Sequence, residues 1–289
     1  MSNSNQQRCY LCNSDELTVR HGQVRDNPDI MVLECSSCSL VFLSSFSHIS
    51  EDFYKNKFSG MHEGDIDSFL RKIEKDDERR YQWVKPVIAN RTLLDFGCGT
   101  GGFLLKAAKR ARKVVGVETD QRNISHFKEN GLSVFESLDV LEARGEVFDV
   151  ITMFHVLEHL TDPVGMLQRL SKILASGGQL LIEVPSADDA LLTLYNSQAF
   201  ADFTYWSSHL FTFNTATLTK IVIKAGLKVN YIKQGQRHSL ANHLRWLSEG
   251  KPGGHKDWHF IDSDELGSAY EKQLASIGRC DTLYGKCSN

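Results

Sequence analysis

Proline is scarce, with 5 residues in 289, and the longest apolar run, near 179–185, falls far short of the roughly 20 residues that a membrane helix requires. Charge of one sign is lacking too: 33 basic side chains stand against 36 acidic ones, for a net charge of −3 and a pI near 6.4. Such a balance offers no field to hold a polyanion, so neither nucleic-acid nor anionic-membrane binding is expected. The polar opening, 1–8, has no apolar core of a signal peptide, which makes a cytoplasmic protein without membrane insertion the expectation. Low-complexity tracts and repeats of about 20–50 residues are absent, which excludes a solenoid or a propeller. What is present is ordinary globular composition, 41% hydrophobic and 24% charged, at a length that fits one or two domains.

Cysteine is not abundant, but its spacing is informative. Of seven cysteines, Cys9 with Cys12 and Cys35 with Cys38 form two C-x2-C pairs, while Cys98, Cys280 and Cys287 stand alone. An odd number scattered over a chain of this size is no disulfide framework. Two C-x2-C turns present four thiolates to one tetrahedral ion, and with every position filled by protein that ion, Zn2+, has a structural role. Short strands are predicted at 30–34 and 40–43 around the second pair. The segment is too small to bury a core of its own, so zinc binding supplies the missing stability. Acidic residues outnumber basic ones within it, which argues against a nucleic-acid reader.

Further along, the charged stretch 51–90 spaces Ile66, Phe69, Leu70 and Ile73 on one helical face. Strand and helix patterns then alternate strictly. Apolar runs at 92–96, 113–118, 134–135, 148–154 and 179–184 enclose helical stretches at 102–112, 120–130 and 163–174, the last opened by Asp162 and Pro163. A helix at 215–225 capped by Asn214 and a strand at 227–232 follow, and beyond Gln236 the pattern dissolves into a tail rich in Gly, His and Trp. The alternation predicts an α/β fold, a doubly wound, Rossmann-like, mostly parallel sheet preceded by a small N-terminal zinc-binding unit.

Between the first strand and the first helix runs Asp95-Phe96-Gly97-Cys98-Gly99-Thr100-Gly101-Gly102. Glycines there let a ligand approach the backbone beside a helix N-terminus. The spacing satisfies both G-x-G-x-x-G, through Gly97, Gly99 and Gly102, and G-x-G-x-G, through Gly97, Gly99 and Gly101. Asp95 discriminates: a carboxylate at the strand tip repels the pyrophosphate of NAD and attracts an ammonium group.

With that acid the segment resembles the class I S-adenosylmethionine-dependent methyltransferases. Residues 148–163, from Phe148-Asp149-Val150 to Asp162-Pro163, are similar to the family's fourth-strand motif, and 177–185, Gly-Gly-Gln-Leu-Leu-Ile-Glu-Val-Pro, to its fifth. The resemblance implies S-adenosyl-L-methionine as cofactor, held by Asp95, Phe96, Gly97, Cys98, Gly99 and Gly101. Glu118 would accept hydrogen bonds from the ribose hydroxyls with Thr119 beside it, Leu138 would face the adenine, and Phe154 and His155 would pass beside the cofactor. The plan of a zinc ribbon (1–50), helical connector (51–90), methyltransferase core (91–235) and C-terminal extension (236–289) is similar to that of sugar methyltransferases of deoxysugar and polysaccharide pathways. It implies a sugar or sugar-nucleotide substrate.

Two histidines are candidate catalytic groups. Neutral imidazole suits removal of a hydroxyl proton near pH 7. His209 follows strand five in a loop that would cover the site, at the place where the resembling sugar enzymes carry their base, with Ser208 in the position of their Glu. His155 stands at the carboxyl end of strand four, over the crevice where ligands bind in open parallel sheets. His155-Val-Leu-Glu158-His159 also spells H-x-x-E-H, but Thr161-Asp162-Pro163 leaves no room for the long helix of a zinc protease. Methylation of RNA or protein fits less well, because the charge is wrong for RNA and Glu183-Val184-Pro185-Ser186 occupies the slot of the base-methylating signature. A non-catalytic cofactor-binding scaffold is the alternative from outside the enzymes.

Overall fold

The structure, a computed structural model, describes residues 7–50, 53 and 66–289. Residues 1–6 of the polar opening, and 51–52 and 54–65 of the expected connector, lie outside the described residues.

The N-terminal unit is a small antiparallel sheet of β1 (Leu17–Val19), β2 (Val32–Cys35) and β3 (Val41–Leu43). Each C-x2-C pair closes the same turn: the N–H of Asn13 donates to Cys9 O at 2.9 Å and that of Ser39 to Cys35 O at 2.8 Å. Both donors are left-handed, with φ of 62° and 64°, which is why glycine is common at this position and why Asn serves. The four Sγ atoms lie within 4.8 Å of one another, with Cys9–Cys38 and Cys12–Cys35 each 3.5 Å apart. Tetrahedral zinc with Zn–S of about 2.3 Å needs thiolates about 3.8 Å apart, so the donor set fits that ion.

The larger layer is a seven-stranded sheet. Helix α1 (Ile66–Ile88) precedes β4 (Thr92–Phe96), and α2 (Gly102–Ala107) leads to β5 (Lys113–Val117). Helix α3 (Ile124–Glu129), β6 (Ser133–Phe135), α4 (Leu138–Ala143), β7 (Phe148–Phe154), α5 (Pro163–Lys172) and β8 (Leu174–Pro185) continue the alternation. Two short helices, α6 (Ala190–Thr193) and α7 (Gln198–Thr204), lead to β9 (Phe211–Thr212). Helix α8 (Thr215–Lys224) and β10 (Lys228–Gly235) follow, then α9 (Leu240–Glu249), α10 (Gly254–Asp257), α11 (Asp264–Ser276) and β11 (Thr282–Ser288). The strand order β10-β11-β8-β7-β4-β5-β6 reverses direction between β4 and β7, the switch point outside which ligands bind. All neighbours are parallel except β11, which is antiparallel to both β8 and β10.

The chain after Gln236 is thus not an unpatterned tail: it forms three α-helices and inserts a strand between β8 and the edge strand β10. Only Leu283 and Cys287 of β11 bring large apolar groups to full burial, and Gly285 and Lys286 interrupt them. Backbone pairing on both edges holds this strand, and composition does not announce backbone pairing.

The two layers are stitched together. β9 adds to the zinc-unit sheet, with Phe42 opposite Phe211 and Val41 opposite Thr212, while Phe213 bridges to Ser186 at the end of β8. Tyr10, inside the first cysteine turn, donates its hydroxyl proton to Asp162 and accepts the Val164 N–H at 3.0 Å, so the zinc unit helps to cap α5.

Elemental analysis of the purified protein should find about one zinc per chain, and Cys38→Ser should abolish it; a metal-free, fully folded protein would contradict the assignment. Leu283→Ala, by emptying a fully buried position, should lower the unfolding free energy by about 3 kcal/mol, read from the urea midpoint.

Candidate functional site

Two cavities meet over the switch point, and His155 and His159 line both. The first, of about 290 Å3, is bounded by Phe96, Gly97, Gly99, Thr100, Glu118 and Thr119, with Phe69, Asp120, Asn123 and Leu160 completing it. Gly97, Gly99 and Gly101 all have left-handed φ, at 80°, 55° and 81°. At Gly97 a side chain would also collide with Val156, 2.3 Å from where its Cβ would sit, whereas at Gly99 it would meet nothing within 4 Å. The loop therefore leaves open space over its backbone, and the buried Thr100 Oγ1 beside it has no hydrogen-bond partner. Glu118 accepts the Gly99 N–H at 2.8 Å and the Asp120 N–H at 2.9 Å, which fixes its carboxylate at the tip of β5; burial raises its pKa.

Five residues assigned to the cofactor by resemblance do not line this cavity. Asp95, 2% exposed, accepts the Thr152 hydroxyl at 2.7 Å, and burial pushes its pKa up to about 7. One of its oxygens is taken by Thr152, which lies directly opposite it on β7. Cys98 packs with Leu104, Phe127 and Leu132. Leu138 opens α4 and points into the core, and Phe154 is stacked edge-to-face on Phe103 with centroids 5.1 Å apart. Gly101 serves instead as the N-cap of α2. Thr100, Asp120 and Asn123 are wall residues that the sequence reading did not single out; a polar residue inside the glycine run was the available signal for Thr100.

The second cavity, of about 400 Å3, lies on the other side of the two histidines. Arg25, Ser186, Asp189, Phe203, Trp206 and His209 are among its walls. His155 has φ of 53°, a strained conformation for a non-glycine residue, imposed by its backbone N–H bonding to Glu183 O at 2.8 Å. Its Nδ1 lies 3.1 Å from Glu158 Oε1 and its Nε2 2.9 Å from Glu183 Oε1. Burial alone would lower its pKa, but these two carboxylates outweigh burial and raise it. With both nitrogens engaged, His155 has no lone pair for a substrate proton. Behind it Glu183, fully buried, also receives Arg79 at 2.8 Å and Arg80 at 3.1 Å. Burial pushes Glu183 up, but His155, Arg80 and Arg79 together hold it well below the carboxylate range.

His209 is held differently. It stacks near Trp206, with its ring 4.8 Å from that of His159, and burial followed by the His159 charge lowers its pKa to about 3. His159 in turn lies 2.7 Å, through Nδ1, from Ser208 O. The H-x-x-E-H segment is one short 3-10 turn, Leu157–His159, as the proline nearby requires. Donor atoms of Glu158, His159 and His209 lie within 4.8 Å of one another, a convergence across 50 residues of sequence that only the fold creates.

Glu183→Gln leaves Arg79, Arg80 and His155 without the carboxylate they share and should cost about 3–5 kcal/mol at pH 7. The folded-state pKa of Glu183 is depressed, so its contribution is complete above the unfolded value near 4.3 and is lost as pH falls through the folded value. The difference between wild type and variant in urea should therefore narrow from pH 7 to pH 3; a constant difference would refute the charge account.

A methyltransferase-domain family model matches residues 66–232. Among curated proteins, the ubiquinone biosynthesis O-methyltransferase of Stutzerimonas stutzeri is 30% identical over 127 residues, covering 40% of this chain and 54% of that protein. That of Cereibacter sphaeroides is 30% identical over 135 residues, covering 43% of this chain and 54% of its own length. The chain thus spans about half the length of these relatives. Among solved structures, a SAM-dependent methyltransferase from Archaeoglobus fulgidus shares the fold, with a TM-score of 0.52 at 18% identity over 77% of this chain and 99% of that one. With the family model spanning more than half of its residues, this chain belongs to the methyltransferase-domain family.

Proposed function

We propose that the chain is a SAM-dependent methyltransferase acting on a hydroxyl of a small polar acceptor. The observation that carries this reading is the pair of cavities sharing His155 and His159, one built on the glycine loop and Glu118, the other holding His209. The open backbone at Gly99, the unpartnered Thr100 hydroxyl and the carboxylate of Glu118 suit a nucleoside with ribose hydroxyls. S-adenosylmethionine, when bound, supplies an electrophilic methyl group. The chain's own part is to align an acceptor oxygen with that group and to take its proton.

His209 is the group we assign to the proton, since its low pKa keeps it neutral at pH 7, and the adjacent Glu158 carboxylate stabilises the cation formed as the proton arrives. His155, with Glu183, Arg79 and Arg80 behind it, acts as a rigid partition between the cavities. The acceptor we favour is a sugar or sugar nucleotide, supported by polar Ser186 and His209 and aromatic Phe203 and Trp206 lining one cavity, a lining for a ring with polar edges and an apolar face. An oxygen as the methylated atom agrees with the names of the relatives.

A second reading is favoured by the converging donors of Glu158, His159 and His209, which suit a divalent cation with His209 as a ligand rather than a base. Turnover lost to a chelator while the cysteine-bound zinc stays in place is the result that favours it.

Incubation with methyl-labelled S-adenosylmethionine and a panel of sugar nucleotides and catechols tests the proposal. Label should pass to a sugar hydroxyl; transfer to catechols alone would replace the sugar, and tight cofactor binding without transfer to any acceptor would favour a scaffold. His209→Asn should lower kcat by about 100-fold or more while cofactor affinity stays constant.

A further inference from the structure

One cation in the second cavity, Arg25, forms no ion pair among the described residues. Arg25 lies between the two cysteine pairs, in the loop that joins β1 to β2. Its backbone N–H donates to Tyr205 O at 3.0 Å, and Asp26 accepts both the N–H and the hydroxyl of Ser207, at 2.8 and 2.9 Å. The zinc-unit loop is thereby fastened to the segment that leads into His209. The Arg25 guanidinium carbon sits 3.4 Å from the Trp206 ring centroid and 4.4 Å from that of Phe203. Other arginines of the region are matched, Arg20 with Glu34 at 3.1 Å and Arg237 with Asp76. Among the described residues no carboxylate bonds the Arg25 guanidinium: burial lowers its pKa against the charge of Asp26, whose two oxygens are already engaged by Ser207.

A guanidinium stacked on aromatic faces keeps its in-plane N–H edge for an oxyanion, which it grips in bidentate fashion. The remaining charges of the cavity do not compete. Burial, reinforced by Asp281, pushes the Asp189 carboxyl up to about 8, so it is largely uncharged at neutral pH. Asp281 itself accepts the backbone N–H groups of Arg237 and His238, at 2.9 and 2.8 Å, and the Gln236 amide at 2.9 Å. We propose that Arg25 binds an anionic group, a carboxylate or a phosphate, on the methyl acceptor, so that the zinc unit supplies substrate specificity as well as structure. This rests on the second cavity being the acceptor site.

The test is calorimetric titration of the full, zinc-loaded chain with methyl phosphate, with benzoate and, as an uncharged control, with benzyl alcohol, each in the presence and absence of S-adenosylmethionine. One of the two anions should bind, and which one tells phosphate from carboxylate. Arg25→Gln should weaken that anion at least tenfold, and Arg25→Lys, which keeps the charge but loses the planar fork, should fall between, with zinc content and cofactor affinity unchanged. Equal affinity for the anions and benzyl alcohol in the wild type, or anion binding unaltered in both variants, would overturn the proposal. Failure to bind S-adenosylmethionine would sink the methyltransferase reading, while the titrations without cofactor still judge Arg25.

Discussion

A short piece of backbone pairing holds this architecture together. Phe42 against Phe211 and Val41 against Thr212 make the zinc-unit sheet continuous with the loop that closes over the switch point of the large sheet. The pairing is short, so by itself it could not order that loop. It is reinforced by the Leu43 N–H to Leu210 O bond at 3.0 Å, by His48 against Ser207 O at 2.7 Å, and by the edge-to-face contact of Phe46 on Phe211. His209 stands inside the stretch so fastened. A four-cysteine unit far from the glycine loop in sequence therefore fixes the position of His209.

The second constraint is electrostatic. Glu183 ends β8 fully buried, and a lone carboxylate there would be costly; two arginines of α1 and the His155 ring neutralise it. The same network draws α1, packed beside α2, onto the carboxyl end of the sheet and locks His155 at the boundary of the two cavities. The left-handed backbone of His155 is the local strain that this placement requires. A proton affinity raised at His155 and one lowered at His209 are opposite outcomes for two residues of the same type.

Much of this was legible in the residues alone, and the exceptions share a cause. The alternation of apolar runs and helical stretches specified the parallel strands because burial on both faces leaves its mark on composition. The cysteine spacing specified a four-thiol cluster, and the glycine run a ligand-side loop, because both depend on local backbone geometry. Direction was not legible: Asp95 stands at the expected strand tip, yet its carboxylate is taken by Thr152 across the sheet. Leu138 and Phe154 lie at the expected positions along the chain and turn into the core. Nor was β11 legible, since its place is determined by two neighbouring backbones rather than by its own seven side chains.

The two histidines show why sequence position does not fix chemical role. Both sit at the carboxyl end of the sheet, and both were candidates from the sequence, His209 the stronger as base. His155 meets Glu158 and Glu183 and gains affinity for protons, whereas His209 meets Trp206 and His159 and loses it. Glu158 touches the first through Oε1 and stands near the second, with its Oε2 buried and unpartnered. That carboxylate therefore acts on both: it holds His155 by a hydrogen bond and, through its charge, raises the proton affinity of His209 against the burial that lowers it.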